Sequence, residues 1–98
     1  MDYQLRSYVV KQGEMDEWLT EWRDKVVPLR RKFGFEVVGA WVIEEESRFV
    51  WIVGHDGDFL ARNDDYYASP ERENMDPDPA RHLASTETKL MTSVLGGT

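Results

Sequence analysis

The sequence predicts an α+β fold of the ferredoxin-like kind: a four-stranded antiparallel sheet in βαββαβ order, with helices on one face. Three observations lead there. Segments with strand and helix signatures alternate as strand, helix, strand, strand, helix, strand; one long stretch carries apolar residues at three-and-four spacing; and the central pair of strands is apolar on both faces. The first two describe one chain. The third says that this chain does not cover its own sheet.

Residues 3–10, "YQLRSYVV", are aromatic and β-branched and are followed by "KQG", which marks a first strand closed by a turn. Over residues 13–33, Met15, Trp18, Leu19, Trp22, Val26, Leu29 and Phe33 form the stripe of an amphipathic helix. Glu14, Asp16 and Glu17 near its start and Arg30, Arg31 and Lys32 in its last turn complement the macrodipole, and Gly34 supplies a left-handed cap. Pro28 lacks the N–H that would bond to the Asp24 carbonyl, so a kink or a break into two pieces is expected there.

Residues 35–43 and 48–54 read as two strands joined by the acidic turn "EEES", a hairpin. In regular alternation Val37, Trp41 and Ile43 share one face and Val38, Ala40 and Val42 the other. In "DFLARNDDYYAS", Phe59, Leu60, Tyr66 and Tyr67 suggest a second, shorter helix. The segment "SPERENMDPDPARHLAS" reads as loop, with a short helix where Asp78 caps and Pro79 takes the first helical position. A last strand is expected over residues 87–95, ended by "GGT".

A half-exposed antiparallel sheet alternates apolar with polar residues, and this hairpin does not. The uncovered face therefore needs a cover, and the sheet of a second copy is the simplest one. The expectation is a homodimer with two sheets face to face. Ninety-eight residues suit a single domain, residues 1–98, and a chain this short buries only roughly 65% of its extended surface when folding alone, which also favours a partner.

Composition narrows the function classes. Four Trp, four Tyr and four Phe mark an ordered globular chain. A net charge of -7 disfavours a nucleic-acid backbone or an anionic membrane as partner, and neither "RFVWIVG" nor "YQLRSYVV" carries the basic-aromatic motif of RNA-recognition sheets. Without cysteine there is no disulfide or thiolate metal site. The first strand begins almost at residue 1 and no long apolar stretch follows, so a cytoplasmic location is expected.

The opening "YQLRSYVVKQGEMDEWLTEW" and the later "PLRRKFGFEVVGAWVIE" are similar to the "ELRxYxxKPGxxxxFxxxW" and "PLxxKxGxxxVGxW" patterns of NIPSNAP-like proteins, in the dimeric α/β-barrel superfamily. The chain resembles that family in the order and spacing of Leu5-Arg6-x-Tyr8, Pro28-Leu29-Arg30 and Val38-Gly39-x-Trp41. The resemblance implies a dimer whose two sheets form a barrel, with a pocket between each sheet and its helices. Relatives of that architecture include cofactor-free monooxygenases, muconolactone isomerases and haem-degrading enzymes, so fold alone does not decide function. Where the family often ends its third strand in "LWAYDS", this chain has Ile52-Val53-Gly54-His55-Asp56-Gly57, and the following arginine-rich helix is reduced to "LARNDD".

Several residues are candidates for chemistry. His55 shares strand parity with Phe49, Trp51 and Val53, which puts it at the mouth of an aromatic surface, where it can serve as a general base oriented by Asp56 or Asp58. The plainer reading is a strand-end turn, "HDGD". Arg6 and Tyr8 share a face; a buried arginine needs a partner, and an acidic residue of a neighbouring strand or subunit is the simplest, with a bound anion as the alternative. Trp18, Trp22 and Trp41 read first as core, while Trp41 and Trp51 also stand as pocket-wall candidates. Arg62, Tyr66 and Tyr67 on the second helix, and His82 closing over a pocket mouth, complete the ligand-binding candidates. A metal held by His55, Asp56, Asp58 and His82 would need distant segments to converge, so no metal and no cofactor is expected. Two readings follow: a dimeric module binding a small apolar or aromatic ligand, or a cofactor-independent monooxygenase or isomerase using His55.

Overall fold

The computed structural model describes residues 1–95, so "GGT", the expected stop of the last strand, lies outside the described residues. Four antiparallel strands form one sheet in the order β2-β3-β1-β4: β1 (Asp2–Val10), β2 (Phe35–Ile43), β3 (Arg48–His55) and β4 (Leu83–Thr92). Helices α1 (Met15–Glu21), α2 (Val27–Lys32), α3 (Phe59–Ala68) and α4 (Pro70–Glu73) occupy the connections.

The expected first helix runs through without a break, but its geometry changes before the proline. Residues Trp22–Val26 form a π-helical turn, in which the Val27 N–H donates to the Trp22 carbonyl five residues back. Pro28 has no N–H to offer the Asp24 carbonyl, and widening the preceding turn by one residue accommodates that loss without a sharp kink. The extra residue advances the inward face by one position. Arg30 is therefore buried, whereas Leu29 and Phe33, which the α-helical stripe assigns to the core, are only half-buried.

The core lies between the sheet and the helices that follow β1 and β3. Trp18 packs edge-on against Phe49 at 5.5 Å between ring centroids, and Trp22 does the same against Phe49 at 5.0 Å and Trp51 at 5.4 Å. Gln4, Arg6, Tyr8 and Val10 of β1 and Phe49, Trp51 and Val53 of β3 face the helices and are buried.

The opposite sheet face carries Leu5, Val9, Val50 and Ile52, all half-buried, and Trp41, which is 53% exposed. Regular alternation would put Val37 and Trp41 on one face, and the structure separates them. A β-bulge between Val37 and Gly39 sets Val37 opposite Val53 but Trp41 opposite Val50, so every residue after Val38 changes side. Two glycines serve this outer face. A Cβ at Gly39 would lie 2.9 Å from the Trp41 ring and one at Gly54 would lie 2.8 Å from the Tyr3 ring, so both rings lie flat on bare backbone.

Other boundaries also differ from expectation. β4 starts at Leu83 and ends at Thr92, because it is an edge strand paired only to β1 and exposed along most of its length; it has no apolar alternation to mark it. "SPERE", expected as loop, forms α4 with Pro70 in the first turn and the Ser69 Oγ accepting the Arg72 N–H at 3.1 Å. The Asp78-Pro79 start is present: Asp78 Oδ1 accepts the Ala80 N–H at 2.9 Å and opens a 3-10 turn, Pro79–His82. Among the described residues no helix is long and apolar enough to cross a membrane.

Candidate functional site

Between the sheet and the segments that run from α2 and α3 toward β4 lies a cavity of about 150 Å³, walled by Tyr8, Trp18 and Trp51, by Tyr66 and Tyr67, and by the arginines Arg6, Arg30 and Arg72. Its apolar walls follow from the strand parity of Tyr8 and Trp51 and the helical position of Trp18. Its charges are less ordinary.

Arg6, 7% exposed, lies opposite Trp51 in the register and points under the helices. Its Nε donates to the Tyr8 hydroxyl at 2.6 Å, its Nη1 to Gln4 Oε1 at 2.5 Å and its Nη2 to the Tyr67 hydroxyl at 2.6 Å. No carboxylate is among those partners, so the acidic partner expected for Arg6 is replaced by three neutral acceptors. Arg30, 1% exposed, is carried inward by the π turn; its Nη1 donates to Asn63 Oδ1 at 2.8 Å and its Nη2 to the Tyr67 hydroxyl at 3.4 Å, while its Nε has no partner. Its guanidinium carbon stands 3.9 Å from the Tyr66 ring centroid and 4.8 Å from that of Phe35, stacked contacts that suit a weakly hydrated planar cation.

Electrostatics separate the two arginines: burial works against the Arg6 charge, but the neighbouring Tyr8 and Tyr67 outweigh it and raise its pKa, whereas Arg30 shifts the other way. Burial pushes the Arg30 pKa below its ordinary value, and the nearby Arg6 adds to the effect. Burial raises the pKa of Tyr8 and of Tyr66, only partly offset by Arg6 and Arg30 respectively, so both phenols are neutral at pH 7 and neither serves as a counter-ion. The Tyr66 hydroxyl and the Trp18 Nε1 are buried without a partner among the described residues. Among the described residues, Arg72 alone of the three cavity arginines has a carboxylate, Asp78 at 3.1 Å.

Of the residues singled out from sequence, Arg6, Tyr8, Trp18, Trp51, Tyr66 and Tyr67 line this cavity. The others are placed elsewhere. Trp41 lies on the outer sheet face, moved there by the bulge. His55 ends β3 beyond the cavity: its Nδ1 is 3.2 Å from the Gly34 carbonyl and its ring lies against Phe35 and close to Gly57. Arg62 Nε donates to the Phe33 carbonyl at 2.8 Å and its Nη1 to Asp65 at 3.4 Å. His82 does not close over a mouth; it is 2% exposed and bonds Glu14 through Nδ1 at 2.8 Å and Glu21 through Nε2 at 3.1 Å.

That last cluster fastens the 3-10 turn to α1. Arg81 grips both Glu21 carboxylate oxygens at 2.7 Å, and this hydrogen-bonded pairing holds the Glu21 pKa down to about 2 against the effect of burial. Glu17, Glu21 and His82 bring possible ligand atoms within 4.8 Å of one another, yet the positive charge at that spot is already supplied by Arg81, and the His82 nitrogens are already engaged. Burial works against the His82 charge, but bonds to Glu21 and Glu14 outweigh it and raise the pKa. Stability from a raised histidine pKa is fully present below about 6.5 and fades as pH rises through the folded value, whereas that from Glu21 is lost only as pH falls from about 4.5 toward 2. Glu21→Gln is therefore expected to cost about 2 kcal/mol near pH 5.5 and less near pH 9, measured by urea denaturation. A cost that grows with pH would contradict the assignment.

Sequence reasoning passed over Arg30 and Arg72 as site residues. A trace of Arg30 was present: Trp18, Trp22, Val26 and Arg30 recur every four residues, and all four are buried. The macrodipole explanation of the basic cluster hid it.

A family model described as NIPSNAP matches residues 3–92. Among solved structures, an uncharacterised NIPSNAP domain protein from Burkholderia xenovorans superposes with a TM-score of 0.82 at 18% identity, covering 95% of this chain and 94% of that one. A NIPSNAP family protein with unknown function from Agrobacterium tumefaciens reaches 0.81 at 23% identity, over 93% and 86% of the two chains. An antibiotic biosynthesis monooxygenase reaches 0.73 at 20% identity over 96% and 99%, a likeness of fold alone. No curated protein matches by sequence. With its order of elements, its opening Leu-Arg-x-Tyr and nearly its whole length accounted for, the chain belongs to the NIPSNAP family.

Proposed function

We propose that this protein is a homodimer, joined through the outer faces of its sheets, that holds a small ligand with an aromatic body in the sheet–helix cavity of each protomer. The observation that carries the ligand reading is the cavity itself, about 150 Å³ and walled by Tyr8, Trp18, Trp51 and Tyr66. A volume of that order admits one benzene-sized ring. Pairing of sheets is supported by the apolar outer face of Leu5, Val9, Val50, Ile52 and Trp41, which the chain's own helices leave uncovered.

The alternative in which His55 acts as general base for a cofactor-independent monooxygenase or isomerase draws no support from geometry. His55 does not line the cavity, and its Nδ1 is turned to a backbone carbonyl. The test is a titration of one-ring aromatics, neutral and anionic, read by tryptophan fluorescence because Trp18 and Trp51 wall the cavity, together with sedimentation velocity at micromolar protein. A saturable change in emission from a dimer is expected. A flat response across the whole series removes the ligand reading, and a compact monomer removes the dimer.

A further inference from the structure

The cavity holds more positive charge than the chain balances. Arg6 and Arg30 are both buried, and every side-chain acceptor they reach, on Gln4, Tyr8, Asn63 and Tyr67, is neutral. An enclosed cation without an opposite charge is costly, and folded proteins ordinarily pair it. Scarcity of acids is not the reason: the chain carries nineteen, and it sets Glu14 and Glu21 against His82, Glu21 against Arg81 and Asp78 against Arg72. Beside Arg6 and Arg30 it sets none among the described residues.

Donors around the cavity are left over in the same place. Among the described residues Arg30 Nε has no acceptor, and neither has Trp18 Nε1. The Tyr67 oxygen accepts from both arginines, at 2.6 Å and 3.4 Å, which leaves its own proton for a further acceptor. Unused donors and two guanidiniums without a carboxylate line the same cavity as the aromatic rings. A planar anion fused to a planar apolar body answers both features, and the guanidinium fork matches a carboxylate in shape.

We infer that the cavity is a carboxylate site: a one-ring aromatic carboxylate, with benzoate as its minimal member, sets its anionic group by Arg6, Arg30 and the Tyr67 hydroxyl and its ring against Trp51 and Tyr66. This rests on the cavity being a ligand pocket and goes on to name the ligand's chemistry. The carboxylate supplies the negative charge that the chain withholds, and the ring replaces the water that would otherwise sit against the aromatic walls.

Calorimetric titration of the full chain with benzoate, benzamide and benzyl alcohol tests it. Benzoate is expected to bind once per protomer and about tenfold or more tighter than benzamide, which has the same ring and no charge. Arg30→Met, checked for native circular dichroism, is expected to bring that preference close to one because it removes the charge, and Arg30→Lys, checked likewise, to reduce it in part because it keeps the charge and removes the fork. Arg62→Met, which removes a cation outside the cavity, is expected to keep it. If benzamide or benzyl alcohol binds as tightly as benzoate, the carboxylate assignment fails while the pocket stands. If the full preference for benzoate survives both folded Arg30 variants, or is lost in Arg62→Met, the anion sits elsewhere and the assignment also fails. If none of the three compounds binds, the pocket reading falls with it.

Discussion

Phe49→Ala is expected to cost about 3–5 kcal/mol, the largest loss of any single truncation in the core. Phe49 is 1% exposed and its ring is enclosed by Tyr8, Trp18 and Trp22, with centroids 6.3, 5.5 and 5.0 Å away. Removing it forfeits the burial of a large side chain and three ring contacts, and the surrounding indoles are too rigid to fill the space. A domain of this size has roughly 5–10 kcal/mol in total, so the variant should be substantially unfolded well below the melting temperature of the parent. Urea denaturation at 25 °C checks this. A cost under about 1 kcal/mol would mean that the aromatic cluster is not the main support of the sheet.

Arg30→Met is expected to act in the opposite direction, raising stability by about 1 kcal/mol, or several degrees in Tm. Burial and then the proximity of Arg6 push the Arg30 pKa down, and a base whose folded value lies below its unfolded one destabilises the fold at neutral pH. Methionine fills a similar volume against Phe35 and Tyr66 without the charge, and the acceptor it abandons, on half-buried Asn63, is within reach of water. Working against the gain are the stacked contacts and two hydrogen bonds that the guanidinium makes. A melting temperature lower than that of the parent would show that these outweigh the cost of the unpaired charge. A rise, combined with loss of benzoate preference, would be the signature of a residue kept for binding rather than for folding.

The two predictions also separate what was legible in the residues from what was not. The aromatic core was legible, since Trp18 and Trp22 recur at helical spacing and Phe49, Trp51 and Val53 at strand spacing, and these periods hold wherever the backbone is regular. The site was only partly so. Arg6 with Tyr8, and Trp51 with Phe49 and Val53, lie on regular β1 and β3 and share a face as strand parity requires, whereas Arg30 and Trp41 follow irregularities, so that the helical stripe left Arg30 out and regular alternation put Trp41 on one face with Val37. One extra residue in a π turn carried Arg30 inward, and one extra residue in a bulge carried Trp41 outward. Neither insertion leaves a clear mark in composition.

Residue order by itself determined the βαββαβ succession, the helix caps, the two-sided apolar hairpin and the family, because these depend on local propensity and on periods of 2 and 3.6 residues. Tertiary structure alone decided that Arg6 and Arg30 meet around Tyr67 with no carboxylate between them, and that His55 and His82 stand apart from the cavity. The physical reason is that which acceptors surround a buried charge depends on contacts between segments up to 61 residues apart, and a single added residue in either segment rotates the side chain to a different set of neighbours.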